Sequence, residues 1–256
     1  AHMREVLDDV ERHLPVERDV DCVRPGTHAI NVSLYGKMPF DVIKDFTHVS
    51  ILGDVPNIMI VNPKVMPSVN SCADMMKLAR EKPGQISYWS SGNGSAPHMS
   101  MELLKTMTKV DMLHVPYKGG GPAYPDFIAG RVQATFTSYG SSAQHLRAGR
   151  LRALAVSGAR RSRAAPELAT VAESGVPGYE YELWWALFAP AGISAERLNF
   201  LNSTINKLLN APELKRFLEQ ESAEPWIATP QQLANLLPNE IERYRKVAKA
   251  AGIPLQ

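Results

Sequence analysis

Short apolar runs alternate with amphipathic stretches along most of the chain. "NIMIVN" (57–62) and "QISYW" (85–89) are compact apolar segments bounded by Pro, Gly and Asn, the pattern of short buried strands. Between them Met75, Met76, Leu78 and Ala79 follow a polar start at Ser68 to Ser71, which predicts a helix and completes a β–α–β unit. Met99, Leu103, Leu104 and Met107 recur at helical spacing, and "DMLHVPY" after them reads as a strand. "GGGPAYPDFIAG", "RVQATFTSY", "SSAQHLRAG" and "RLRALAVSG" continue as helix, strand, helix and strand. This alternation predicts a mostly parallel sheet flanked by helices.

After residue 176 the texture changes. "VPGYEYELWWALFAPAG" is long, aromatic and too extended for a surface loop, as expected of a strand that crosses between two lobes. Two helices are expected to close the chain. The first puts Leu198, Leu201, Ile205, Leu208 and Leu209 on one face. The second starts at Thr229 as N-cap, with Pro230 in the first helical position and Gln232 completing a capping box. Pro238 is expected to kink or restart it.

The chain has 256 residues, 45% hydrophobic and 21% charged, the composition of an ordinary globular protein long enough for two domains. No apolar run approaches the roughly 20 residues that span a bilayer. Asp8, Asp9, Glu11 and Arg12 occupy the place of a signal peptide's apolar core, and "AHM" has the look of a cloning remnant, so these residues do not give the localisation. A net charge of +2 is too small for a phosphate-tracking surface. The basic cluster Arg160, Arg161 and Arg163 sits in a loop-like stretch and reads as a solvated turn. Cys22 and Cys72 lack metal-site spacing and read as two unrelated thiols.

Little in the sequence speaks for catalysis. The seven histidines form no His-x-x-x-His pair, there is no Gly-x-Ser-x-Gly elbow, and "SSGNGS" fits neither nucleotide-binding fingerprint. His98, in the first turn of a helix, reads as a polar surface residue rather than a base. The loop Ser90, Ser91, Gly92, Asn93, Gly94 and Ser95 is different. It is free of bulk and leads into a helix whose first N–H groups lack partners and carry the positive end of the helix dipole, a setting that stabilises a carboxylate or phosphate. An ordinary turn whose small residues only cap the helix is the competing reading. Gly119, Gly120 and Gly121 before Pro122 repeat the logic, with Lys118 beside them. Two such helix starts facing each other match an acid with two carboxylates.

"GTHAINVSLYGKMPFDVIKDFTHVSIL", "ISYWSSGNGSAPHMSMELL", "VDMLHVPYKGGGPA", "LRAGRLRALAVSGARRS", "TVAESGVPGYE" and "WWALFAPAGIS" together resemble, in order, the Bug-type extracytoplasmic solute-binding proteins of tripartite tricarboxylate transporters, from about Gly26 to Gln256. The resemblance implies an α/β, two-lobed periplasmic-binding-protein-like (type II) fold with mostly parallel sheets and a ligand cleft between lobes. It implies a periplasmic receptor that captures a small carboxylate and delivers it to a membrane permease, with no cofactor and no catalysis. Residues 1–99 and 186–256 are expected in the first lobe and 100–185 in the second.

The resemblance places Ser90 to Ser95 at the carboxylate, with Tyr117, Gly119 and Gly120 on the facing lobe. Thr137 and Ser138 stand where family members often have Asp-Asn, which disfavours an amino-acid ligand. Thr27 and His28 match another stretch near the ligand, and Trp184 and Trp185 an aromatic pair read mainly as packing. The family's opening strand and Gly-rich loop are not matched by "REVLDDVERHLPVERDVDCVRP". That predicts an unpaired sheet edge in the first lobe, through which a homodimer would form. The rival readings are an α/β enzyme using His98 or His28 as base, and a truncated, non-binding remnant. A further expectation is that Arg160 to Arg163 dock the membrane partner.

Overall fold

The computed structural model describes residues 21–23, 29–35, 37–220 and 223–253. In chain order these form β1 (Asp21–Val23), α1 (Asn31–Leu34), β2 (Phe46–Val61), α2 (Cys72–Glu81), β3 (Ser87–Ser90), α3 (Ala96–Thr108) and β4 (Leu113–Pro116). Then come α4 (Gly120–Ala129), β5 (Ala134–Ser138), α5 (Tyr139–Arg147), β6 (Arg152–Val156) and β7 (Glu182–Pro190). The chain closes with α6 (Ala195–Leu208), α7 (Pro212–Gln220), β8 (Glu224–Pro225) and α8 (Pro230–Ala250).

The organising element is β2, 16 residues long and almost wholly buried from Val49 onward. Its first part, Phe46 to Pro56, pairs antiparallel with β7, and Gly53 and Asp54 also pair with β8. From Asn57 to Val61 it pairs antiparallel with β5, and from Ile58 to Val61 with β6. One strand therefore belongs to two sheets and changes partners at Pro56 and Asn57. In the second sheet β3, β4, β5 and β6 run the same way, with helices in the connections between them, and β2 runs against them. In the first sheet every pairing among the described residues is antiparallel.

Strand pairing does not follow the divisions expected from the sequence. The divisions at 99/100 and 185/186 fall inside α3 and β7. β3 pairs with β4 and β5, so the chain from Asn57 to residue 99 builds the second sheet rather than the first. The aromatic stretch 176–192 supplies β7, but β2 is the strand that runs through both sheets. β1 lies in the segment that did not match the family pattern. It pairs Asp21, Cys22 and Val23 with Phe188, Leu187 and Ala186. At those positions β7 is covered by β1, which is the terminal strand among the described residues, and no observation supports a homodimer.

Local chemistry sets the helix starts. Ser71 Oγ accepts the Asp74 N–H at 3.1 Å to open α2. The capping box of α8 is present: Thr229 Oγ1 accepts the Gln232 N–H at 3.3 Å and Gln232 Oε1 accepts the Thr229 N–H at 2.8 Å. That helix continues through Pro238 without interruption. α7 is an additional helix that the periodicity did not predict. Cys72 is a buried free thiol, pushed up to about 12 by desolvation. Arg161 pairs with Glu173 at 3.0 Å and Arg163 with Glu224 at 3.5 Å, both at the surface.

Candidate functional site

Where β2 changes sheets, a cavity of about 530 Å³ opens between the two sheets. Val55 and Asn57 from β2 and Leu183 and Trp185 from β7 form one wall, and each pair shares a face because strand side chains alternate. Ile30 and Asn31 close it at the start of α1. Ser91, Asn93, Gly94, Ser95, Ala96 and Pro97 come from the β3–α3 turn, and Thr137 and Ser138 from the β5–α5 junction. Both junctions lie at the carboxyl ends of parallel strands, where ligand sites of open α/β sheets form. No Asp, Glu, Lys, Arg or His is among the lining residues.

The β3–α3 turn is held by its own small residues. Ser90 Oγ accepts the Gly92 N–H at 3.2 Å, and Ser95 donates its N–H and hydroxyl to the Gly92 carbonyl at 3.2 and 2.6 Å. Ser95 is the N-cap residue of α3, yet its side chain caps nothing, and Pro97 has no N–H. The first-turn N–H groups of Ala96 and His98 thus lack a side-chain partner and present the positive end of the helix dipole. Gly94 adopts φ +71°, a left-handed conformation that disfavours side chains. Its N–H points inward to His98 Nδ1 at 3.0 Å.

A second helix start meets the same cavity. Ser138 caps α5 by accepting the Ser141 N–H at 3.4 Å, while Thr137 Oγ1 lies 2.9 Å from Ser141 Oγ. Asn57 pairs with Ser138 across the β2–β5 ladder. Its N–H donates to Ser157 Oγ at 2.9 Å and its carbonyl accepts the Ser157 N–H at 2.7 Å. The Asn57 side chain is different: 2% of the residue is exposed, and Nδ2 has no hydrogen-bond partner. An unpaired buried amide is unfavourable by about 1–3 kcal/mol, so such a group in a cavity wall favours a ligand that supplies the missing partner.

Six of the sequence-predicted residues meet here: Ser91, Asn93, Gly94, Ser95, Thr137 and Ser138. Ser90 and Gly92 shape the turn from behind. Tyr117, Gly119 and Gly120 are not among the lining residues. Tyr117 donates its hydroxyl to Asp126 at 2.9 Å, and the two glycines open α4. The second helix start at the cavity is therefore that of α5, not of α4. Thr27 and His28 lie outside the described residues. Trp184 is buried in the core with Nε1 directed to Glu240 at 3.4 Å, whereas Trp185 lines the cavity.

His98 departs from its expected place. It is 5% exposed, its Nδ1 is occupied by Gly94, and its ring stacks on His114 at 3.9 Å between centroids and 9° between planes. Desolvation, with the Lys105 charge adding to it, pushes His98 down to about 4. His114 is likewise lowered to about 4 by desolvation and by His98. Asn57, Asn31 and Ile30 were missed by sequence reasoning. The one signal for Asn57 is a polar residue within an apolar strand run. A separate depression of about 350 Å³ between α7 and Ser162 to Ala164 holds Arg163, Lys215, Glu219 and Glu224, with Arg163 and Glu224 already paired.

Over residues 22–253 the chain matches the family described as tripartite tricarboxylate transporter family receptor. The chain belongs to this family. Among its relatives is BugT of Bordetella pertussis (strain Tohama I), 32% identical over 228 residues, 89% of this chain and 69% of BugT. The chain spans 69% and 63% of the first two curated relatives it matches. Among solved structures, R. palustris Rpa4515 with adipate superposes with a TM-score of 0.82 at 38% identity, covering 96% of this chain and 83% of that one. MatC from Rhodopseudomonas palustris with bound malate gives 0.74 at 26%, covering 89% and 78%. The family assignment places the mixed α/β fold among the periplasmic binding proteins of this type. No helix among the described residues is long and apolar enough to cross a membrane.

Proposed function

We propose that this chain is the solute receptor of a tripartite tricarboxylate-type transporter, working in the periplasm. It captures a small dicarboxylate in the cavity between the sheets and presents it to membrane permease subunits. The observation that carries the reading is the cavity's chemistry: two helix N-termini and the unpartnered Asn57 amide surround a volume with no charged side chain. Helix-start N–H groups favour anions. The absence of a lining carboxylate leaves nothing to pair with an ammonium, which disfavours amino acids. Val55, Leu183, Trp185 and Ile30 suit an apolar spacer between two carboxylates, and the adipate bound by the relative Rpa4515 is such a molecule.

Recognition by neutral donors leaves His98 without a catalytic task, since it is buried behind the turn with Nδ1 engaged. The receptor reading is therefore favoured over an enzyme using that residue. Ser91, Asn93, Gly94 and Ser95 form the clamp for one carboxylate, and Thr137, Ser138 and Asn57 receive the other. A thermal-melt and calorimetric screen of adipate, malate, citrate, benzoate and glutamate tests this. At a hundredfold excess over Kd, a bound acid adds about 2.7 kcal/mol of stability. A response to adipate or malate but not to glutamate, which adds an ammonium group, is expected, and a response to glutamate alone overturns the ligand class.

A further inference from the structure

Behind the β3–α3 turn, two imidazoles hold both of its ends. His98 Nδ1 accepts the Gly94 N–H at 3.0 Å, which requires an unprotonated Nδ1 and places the ring proton on Nε2. His114 Nε2 lies 2.7 Å from Ser90 Oγ, the hydroxyl that also engages the N–H and carbonyl of Gly92 at 3.2 and 3.0 Å. The rings stack at 3.9 Å, and Tyr88 lies near-parallel to both, 5.0 Å from His114 and 6.5 Å from His98. Both ends of the ligand-facing turn are thus bonded to one aromatic stack, in which His98 and Tyr88 are buried and His114 half-buried.

The surroundings keep that stack neutral. From β3 it is faced by Tyr88, whose hydroxyl donates to Glu102. On α3 itself Glu102 is paired with Lys105 at 2.6 Å, so the two nearby charges compensate each other. No charged group of α8, which packs on α3, acts on either ring. Two stacked imidazolium ions in a desolvated site repel each other. A proton on His98 Nδ1 also turns the acceptor for Gly94 into a second donor facing that N–H.

We propose that His98 is the positioning residue of the anion-facing turn, and that the His98–His114 stack makes ligand capture acid-sensitive, because protonation releases Gly94 and with it the clamp. This rests on the reading of the cavity as a carboxylate site. Burial holds both rings well below the ordinary imidazole range, to about 4, so the turn stays set through neutral pH and loosens only in acid.

The first arm of the test needs no ligand. Nitrogen-15 NMR of the ligand-free protein should find His98 as the Nε2–H tautomer at neutral pH, with the Gly94 amide resonance moving at the same acidic midpoint as the imidazole. A Gly94 amide indifferent to His98 titration, or a His98 that titrates near its ordinary value of 6.5, overturns the proposal.

The second arm is calorimetry with adipate at about pH 7.5 and about pH 4.5. His98→Phe should weaken binding about tenfold at the higher pH, the scale of one lost neutral hydrogen bond that holds the turn. His98→Asn, whose Oδ1 can accept from Gly94 but cannot be protonated there, should recover most of that loss and weaken less than wild type in acid. The ligand's own ionisation is common to all three proteins. Equal affinities for Phe and Asn variants overturn the positioning role. A wild-type protein that ignores adipate, with Gly94 and His98 still titrating together, overturns the ligand assignment while supporting the role of His98 in setting the turn.

Discussion

Gly94 and Leu34 are fitted so closely that a Cβ on Gly94 would overlap the Leu34 Cδ1 methyl. Leu34 ends α1 and is buried, and Gly94 is the left-handed residue of the ligand-facing turn. The contact sets how far the turn approaches the wall formed by α1. Gly94→Ala should therefore displace the turn and also strain its backbone, destabilising the protein by about 1–3 kcal/mol by melting and lowering adipate affinity at least about tenfold by calorimetry. A tolerated Ala with native affinity would show that the turn is not held where Leu34 puts it.

Asn57 allows a prediction with opposite signs for stability and binding. Asn57→Leu removes a buried amide nitrogen that has no partner in the ligand-free protein, so melting should be unchanged or raised. The same change should weaken a dicarboxylate by about tenfold, the loss of one hydrogen bond to a charged group. Asn57→Asp should be worse for binding than Asn57→Leu, since it sets a carboxylate against the ligand's own.

Acid stability should follow the histidine stack. His98 and His114 have folded values lowered to about 4, so between the ordinary value of 6.5 and about 4 the unfolded chain binds more protons than the folded one. Their contribution is complete above about pH 6.5, is lost as pH falls toward 4, and levels off below that. Asp54 and Glu182 act in the opposite sense, because desolvation raises their carboxyls and acid relieves it. Urea unfolding across pH 4 to 7 should show the histidine slope, and His98→Asn should flatten it.

Thr229→Ala provides a control remote from the cavity. It breaks the reciprocal bonds that open α8 and should lower stability by about 1 kcal/mol, with adipate affinity at neutral pH unchanged. A loss of affinity would indicate that α8 participates in the closed site.

The elements that could be read in the sequence are those set by neighbours in the chain. The Thr229, Pro230 and Gln232 capping box and the small-residue turn at Ser90 to Ser95 are local features, and each forms as its residues specify. Pro56 and Asn57 show the converse. They look like a strand boundary because Pro lacks an N–H and Asn favours turns. In the folded chain they lie inside β2, where β7 gives way to β5 and β6, and those partners come from far along the sequence. His98 was misread for the same reason. Its burial depends on His114, on a neighbouring strand, which no helical periodicity reveals.

The double membership of β2 also bears on how the chain folds. Phe46 pairs with Pro190 and Val61 with Arg152, so the strand made early must wait for partners made late. The second sheet needs only residues 57–156, whereas the first part of β2 stays unpaired until β7 has been made. Loop closure of this kind slows folding and prolongs exposure of an apolar strand. The feature that places both walls of the site on one strand therefore leaves the first half of β2 without its partner until β7 has been synthesised.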